Sequence, residues 1–367
     1  MNILFISSIQ MWGGGEVWLL DIMSGLKERG HSVSLICRPK TELAQNALAQ
    51  GFDVHTIRIG GDFDPFVIRN ARRIMKEKKV DVICTNMDKD LRFGGIAAKL
   101  AGVRGIIPSR EIDYPLKNTL RYRFAYNVLA TKIVVNSKAT QQTILASAPW
   151  LDAKRTKIIY KGIDLSRYDH GMTSDIRNEF HLPSSSPLVT FVGQLDERKG
   201  LHYLLEAWCS VHDEFPKAVL FIVGKGKMEN EIRQFIAQYN LQESVVLTGF
   251  RTDVPNILLQ SSMLVLPSLW EGFGYVLVEA MAAKLPTVAT ATSSIPEIVE
   301  HGKSGILVPP KNSDALARAI GSLLSDSSKS AAMGVRGRQI VEEKFTRRRM
   351  IDEFESAFGG LAESGTV

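Results

Sequence analysis

Short apolar runs alternate along the chain with longer stretches in which apolar residues recur every three or four positions. NILFISSI, HSVSLIC, DVHTIRI, VDVICTN, RGIIPS, KIVVNS and KIIYKGI read as strands, and most are continuously apolar, as strands buried on both faces of a parallel sheet are. Helical stretches lie between several of them, for example over 16–29 and 64–78. A second series begins at PLVTFVG and continues through AVLFIVG, SVVLTGF, MLVLP, PTVAT and GILVP. This alternation predicts doubly wound α/β sheets. A length of 367 residues suits two domains better than one core. Between the two series lies RYDHGMTSDIRNEFHLPSSSP, polar and rich in turn formers, which reads as a linker. The expected division is an N-terminal domain over 1–168, a linker over 169–186 and a C-terminal domain over 187–344.

The stretch from Met263 to Pro310 carries the clearest chemistry. An apolar run, Met263 to Leu266, ends at Pro267, and a glycine-flanked turn then carries Glu271. A helix-like segment from about Tyr275 carries Glu279 and has apolar residues at 276, 277, 280, 281 and 283. A helix that opens straight after a glycine turn presents backbone N–H groups, here those of Gly274 and Tyr275, and its dipole favours an anion. The spacing therefore predicts a phosphate seat. Two carboxylates beside a phosphate would repel it, so Glu271 and Glu279 are expected to face hydroxyls, for which a carboxylate is an acceptor-only partner. Hydroxyls on both sides of a phosphate describe a nucleotide sugar.

The segment PSLWEGFGYVLVEAMA, with seven residues between its two glutamates, resembles the signature of the retaining glycosyltransferases of the GT4 family, which have the GT-B fold. SSIPEIVEHGKSGILVPP downstream, VGQLDERKG at 192–200, GGGE at 13–16 and KGID at 161–164 occur in the family's order, so the resemblance covers nearly the whole chain. It implies two Rossmann-like domains facing across a cleft, a nucleotide-diphosphate sugar held mainly by the C-terminal one, and a last helix, over 345–367, packed back on the N-terminal domain. By the resemblance, Glu279 would bind ribose hydroxyls and Glu271 the donor sugar. The backbone of Phe273, Gly274 and Tyr275, with Lys199 and Arg198, would hold the diphosphate, whose growing charge preplaced cations stabilise in the transition state. Gly14 and Gly15 would approach the diphosphate or the transferred sugar, Gly193 and Gln194 belong to the same donor loop as Lys199, and Phe250 is a candidate for the base pocket. Many relatives have arginine where this chain has Gln194, and an acidic residue where it has Lys225. Many also have a histidine after the strand that ends here in IIPSREIDYP. This chain has none there, which leaves Asp113 and Glu111 to take the acceptor proton or to steady an oxocarbenium-like sugar. The alternative is that both are simply paired to Arg110 or Arg123. The family's mechanism would be a same-face displacement assisted by the leaving phosphate.

Charge adds a partner class. The formal excess of +6 suits either plain solubility or an anionic partner. Arg69, Arg72, Arg73, Lys76, Lys78 and Lys79 cluster on one expected helix, and Lys117, Arg121, Tyr122, Arg123, Phe124 and Tyr126 mix basic with aromatic residues. Such mixing fits an interfacial segment, or equally an exposed face with its aromatics turned to the core. Three cysteines, at 37, 84 and 209, form no metal or disulfide pattern. With no run of 18 apolar residues and no basic leader with a cleavage site, a cytoplasmic setting is expected. GDFDP contains a DxD pattern, but Asp64 before Pro65 fits a helix N-cap with proline at the first helical position, so no metal is expected. Ser294 with Glu297 three residues on reads as a capping box. GGGE is not the GxGxxG fingerprint, and the second strand ends in Cys37 and Arg38 without an acidic ribose ligand, which argues against a dinucleotide oxidoreductase.

The expected function is a retaining, metal-independent glycosyltransferase without a cofactor. It would move a sugar from a nucleotide-diphosphate donor to a glycan or lipid-linked acceptor in surface polysaccharide, lipopolysaccharide or glycolipid synthesis. The basic N-terminal segments would touch the inner membrane surface, and no nucleic acid is expected. The alternatives are a nucleotide-sugar epimerase of the same fold and a catalytically silent module that binds nucleotide sugar or lipid.

Overall fold

In the computed structural model, which describes residues 1–362, the chain forms two compact units, Met1–Gly162 with the described chain from Arg347 onward, and Ile163–Thr346. The first unit holds seven parallel strands: β1 (Asn2–Ser7), β2 (Ser32–Cys37), β3 (Asp53–Thr56), β4 (Val82–Thr85), β5 (Gly105–Arg110), β6 (Ile133–Val135) and β7 (Thr156–Ile158). Their order is β3-β2-β1-β4-β5-β6-β7. The second unit holds β8 (Leu188–Val192), β9 (Val219–Val223), β10 (Val245–Gly249), β11 (Met263–Leu266), β12 (Thr287–Thr290) and β13 (Gly305–Val308), in the order β10-β9-β8-β11-β12-β13. Both sheets are Rossmann-like. The winding reverses between β1 and β4 in one and between β8 and β11 in the other, and ligands of such sheets bind beyond the carboxyl ends of the strands at that reversal.

The strands form where the apolar runs lie because both faces are covered. In β9 every residue is buried, and the inner residues of β1 and β2 are at most 7% exposed. Several strands are shorter than their runs. DVHTIRI supplies only the four residues of β3, an edge strand whose partner β2 ends at Cys37.

Two expectations of organisation are corrected. Residues 169–186 do not link; they are built into the second unit. Asn256 Oδ1 accepts from the N–H groups of Thr173 (2.9 Å) and Ser174 (3.4 Å), Arg251 pairs with Glu179, and Ile176 is fully buried beside Phe221. The segment is polar because it hydrogen-bonds along the flank of helix Val254–Leu259. The last helix begins at Arg347, not 345, because Phe345 is itself buried and stacks edge-on against Phe273 with centroids 6.0 Å apart.

Helix Arg347–Ala362 completes the first unit. Phe354 packs against Trp18 (5.9 Å) and Phe358 (5.7 Å), and Phe358 against Phe5 (6.3 Å). Arg347 binds Asp21 at 2.5 Å and Glu28 at 2.7 Å, both on helix Gly14–Glu28. The basic and aromatic stretch after β5 forms a short helix, Leu120–Arg123, that continues as a π-helix, Phe124–Leu129. Tyr122 and Tyr126 turn inward under Arg92 and Arg110, while Leu120 and Phe124 stay exposed.

Candidate active site

The second unit gathers most of the expected residues around its strand reversal. Beyond β8 runs the loop with Gly193, Gln194, Arg198 and Lys199; beyond β11 runs the loop with Ser268, Glu271 and Gly274. The loops meet through a hydrogen bond from Leu269 N–H to Arg198 O (2.7 Å). Gly200, at φ +63°, makes this possible: a Cβ there would lie 2.2 Å from Pro267 O.

Lys199 Nζ donates to Glu271 Oε2 at 2.6 Å, and Ser268 Oγ donates to the same oxygen at 3.0 Å. The side chains of Lys199 and Glu271 are 15% and 13% exposed, so the pair is largely desolvated but still reachable. Gly193 lies at the back of the lysine, with room beyond its Cα filled by Phe191 and the Lys199 stem. Arg198 is matched differently. It binds Asp196 (2.5 Å), donates to Gln194 Oε1 (3.3 Å) and stands over the Trp270 ring, 5.8 Å from its centroid. Lys199 is thus the cation held against Glu271, and Arg198 lies along the neighbouring rim.

Helix Tyr275–Ala282 opens at Gly274, whose φ of +80° suits glycine and which has no side chain of its own to cap the helix. Glu279 sits on this helix and accepts from the Tyr168 hydroxyl at 3.2 Å. Crowding by protein raises its pKa from 4.5 to about 7, a desolvation effect that the Tyr168 hydrogen bond and the Arg167 charge oppose but do not cancel. The residue as a whole is half-buried. Phe273 is buried against Phe345, so only its backbone can serve a ligand. Phe250 lies just past β10 and is 59% exposed.

The Ser294–Glu297 capping box is not formed. Ser294 makes no side-chain cap to its helix; its Oγ donates to Phe273 O (3.0 Å) and Gly272 O (3.3 Å). Two residues earlier Thr292 Oγ1 donates to Leu269 O (3.2 Å), and two earlier again Thr290 Oγ1 donates to Ser268 O. Alternate hydroxyls of TATSS, Thr290 at the end of β12 and Thr292 and Ser294 in the turn after it, therefore pin carbonyls of the Glu271 loop. Sequence reading missed these positioning residues. Their signal was the period of two in the hydroxyls after PTVAT.

In the first unit Gly13 caps helix Gly14–Glu28 in an extended conformation, and a Cβ on Gly14 or Gly15 would meet nothing within 4 Å. Those glycines leave open space in front of the helix. The loop leading to them is fastened by Asp90, fully buried, whose Oδ2 accepts from Ser8 and Met87 N–H at 3.1 Å each. Burial pushes the Asp90 pKa to about 7. Glu111 is paired to neither Arg110 nor Arg123. Its carboxylate accepts from Ser109 Oγ (2.5 Å) and lies 3.1 Å from Lys161 Nζ, which in turn stands 4.7 Å from the Trp18 ring centroid. Arg110 instead binds Asp88 and Tyr126, and Arg123 binds Asn118. Asp113 is half-buried on the same loop as Glu111. The DxD carboxylates have other partners: Asp64 Oδ1 accepts from Phe66 and Val67 N–H as a helix cap, and Asp62 pairs with Arg92 at 2.8 Å.

A carboxylate–lysine pair beside a glycine-led helix start, at the strand reversal of a Rossmann-like unit, suits a phosphorylated, hydroxylated ligand. The family profile described as "Glycosyl transferases group 1" matches residues 172–340, and that described as "Glycosyltransferase Family 4" matches residues 12–167. The chain belongs to this family of glycosyltransferases and has its GT-B fold. It is 27% identical over 334 residues to the UDP-Gal:alpha-D-GlcNAc-diphosphoundecaprenol alpha-1,3-galactosyltransferase of Escherichia coli, covering 83% of this chain and 86% of that one. It is 26% identical to the N-acetyl-alpha-D-glucosaminyl L-malate synthase of Bacillus anthracis over 56% of this chain, and spans about half (54%) of that relative's length. The crystal structure of HepE from Anabaena in complex with UDP has the same fold, with a TM-score of 0.86 at 24% identity over 98% of this chain and 100% of that one.

Proposed function

We propose that this glycosyltransferase moves a sugar, with retention and without a metal, from a nucleoside-diphosphate sugar to a glycan or lipid-linked acceptor in surface polysaccharide or glycolipid synthesis. The observation that carries the reading is the Lys199–Glu271 contact beside the helix that opens at Gly274. The diphosphate lies against the backbone of Phe273, Gly274 and Tyr275, Lys199 and Arg198 offset its charge as it leaves, and Glu271 and Glu279 accept from sugar and ribose hydroxyls. Gln194 and Gly193 shape the rear of this seat, Gly14 and Gly15 leave backbone open to close approach by a diphosphate or sugar, and Phe250 flanks the base.

Retention is supported by the state of Glu271. Its carboxylate is held by Lys199 and Ser268, which suits a hydroxyl acceptor more than a nucleophile, so displacement proceeds on the face of the leaving phosphate. Metal independence is supported by Lys199, which supplies positive charge at the diphosphate, while the acids of the DxD pattern are spent on a cap and an ion pair. On the acceptor side Asp113 or the Lys161-paired Glu111 takes the proton. The E. coli relative is named for a diphosphoundecaprenol-linked acceptor, which agrees with an acceptor reached at an anionic membrane face through the basic helix Pro65–Glu77.

Thermal unfolding against UDP, GDP, ADP, CMP, NAD and their sugar derivatives, in EDTA, tests this. A nucleoside diphosphate at 100 times its dissociation constant adds about 2.7 kcal/mol to the folded unit. Glu271→Ala is expected to abolish transfer while the protein stays folded. Response to NAD alone, turnover by Glu271→Ala, or a rate that EDTA removes and manganese restores would each sink the proposal.

A further inference from the structure

The first unit contains a cavity of about 380 Å³ that the donor seat does not use. It is lined by Gln10 from the loop after β1, Arg38 and Thr41 from the loop after β2, Arg58 and Gly60 from the loop after β3, and Asp64. These are the carboxyl ends of neighbouring parallel strands, the edge where such sheets take ligands. Gln10 stands on the same loop that leads into Gly13, Gly14 and Gly15.

The two arginines set its chemistry. Arg38 is half-buried, and its Nε donates to Ser8 O at 2.8 Å. Among the described residues its two terminal nitrogens have no protein partner, and no carboxylate lies within ion-pair distance of Arg38 or Arg58. Two other desolvated arginines of this unit are matched: the buried Arg92 with Asp62 at 2.8 Å and the half-buried Arg110 with Asp88 at 2.7 Å. A partly desolvated guanidinium left with donors to spare gains from an anion more than an exposed, hydrated one does. Asp64 is the one acid in the lining, and its Oδ1 is taken by the N–H groups of Phe66 and Val67 at the start of its helix. Thr41 is also engaged, accepting from Ala44 N–H and donating to Arg38 O. The donors left to a ligand are two guanidinium forks and the Gln10 amide. A tetrahedral phosphoryl group, with three acceptor oxygens and up to two charges, matches that set better than a planar carboxylate.

We propose that Arg38 and Arg58 form a second anion site, which holds a phosphoryl group of the acceptor. The inference rests on the glycosyltransferase reading for the word acceptor, but the site itself does not. It makes the acceptor an anionic molecule, read by its phosphate in the first unit and glycosylated at a hydroxyl.

The test is calorimetric titration of the whole chain with inorganic pyrophosphate, alone and with the donor seat filled by whichever nucleoside diphosphate stabilises the fold most. One pyrophosphate is expected to bind beside the nucleotide, more weakly as salt rises. Arg58→Gln, an exposed position with no hydrogen bond to lose, is expected to weaken that binding at least tenfold and to leave the nucleotide-induced melting shift unchanged. Arg38→Gln combined with Arg58→Gln is expected to remove it. Equal pyrophosphate binding by wild type and both variants, or none beside the nucleotide, overturns the proposal. If no nucleotide binds at all, the donor reading falls on its own, and the site is still judged by whether Arg58→Gln removes pyrophosphate binding from the chain alone. Vesicles containing phosphatidylglycerol complete the series. Vesicle binding that depends on Arg58 without any change in pyrophosphate binding would assign the arginines to a bilayer surface and overturn the discrete site.

Discussion

Glu279 joins the chemistry of one carboxyl group to a measurable pH dependence. Its pKa is raised by burial from 4.5 to about 7, so between those values the folded chain binds a proton that the unfolded chain has released. Stability from this group is complete below about pH 4.5, falls as pH rises through the window, and is flat above 7. The span amounts to about 3 kcal/mol at most. In the proposed role, ribose hydroxyls would donate to the ionised form, so nucleotide affinity is expected to rise from pH 6 to 8 and then level off. Glu279→Gln should flatten that rise and lift the melting temperature at pH 8 but not at pH 4.5. An affinity profile unchanged by the substitution would place Glu279 outside the nucleotide contact. Glu271, Glu279 and Lys199 were legible in the sequence because each lies within a few residues of a glycine turn. Asp90 was not, because its work is to hold Ser8 N–H, a partner 82 residues away.

The loop that carries Glu271 owes its shape to the segment that follows β12. Ser294 was legible only as the first residue of an S-x-x-E pattern, and that local pattern lost to a tertiary one, in which its hydroxyl donates to the carbonyls of Gly272 and Phe273. The cost of leaving such groups unmet is about 1–3 kcal/mol, more than a helix cap returns. Ser294→Ala is therefore expected to lower stability by roughly that amount. It should also weaken nucleoside diphosphate binding about tenfold, the equivalent of 1.4 kcal/mol, because the turn that leads into helix Tyr275–Ala282 loses a brace. Thr292→Ala, which frees one carbonyl, should do less of both. Paired measurements of melting temperature and nucleotide dissociation constant check this; a Ser294→Ala protein that melts early yet binds nucleotide normally would show that the hydroxyls brace the fold and not the seat. Gly200→Ala is a harsher change, since its Cβ would sit 2.2 Å from Pro267 O and separate the two donor loops. Nucleotide binding should be lost even where folded protein is recovered.

Alternating apolar runs were enough to give both sheets, because strands buried on two faces have to be apolar throughout. Which unit each segment joins was less accessible. The stretch 169–186 is polar for the sake of hydrogen bonds to Asn256 and Arg251, and polarity of that kind looks like a linker when read along the chain. The final helix begins 189 residues (347 − 158) beyond the end of the first unit's own strands, and only the family resemblance suggested where it packs. Its aromatic residues make the placement testable. Phe354 is fully buried between Trp18 and Phe358, in the core that also holds β1 and β2. Phe354→Ala leaves a cavity there and is expected to cost about 3–5 kcal/mol. Apart from Gly14 and Gly15, the residues proposed for the donor belong to the other compact unit, so nucleotide affinity measured well below the melting point should stay within about twofold of wild type. A Phe354→Ala chain that keeps its stability would remove the helix from the first unit's core. One that stays folded but loses nucleotide would mean that the first unit's packing controls the donor seat.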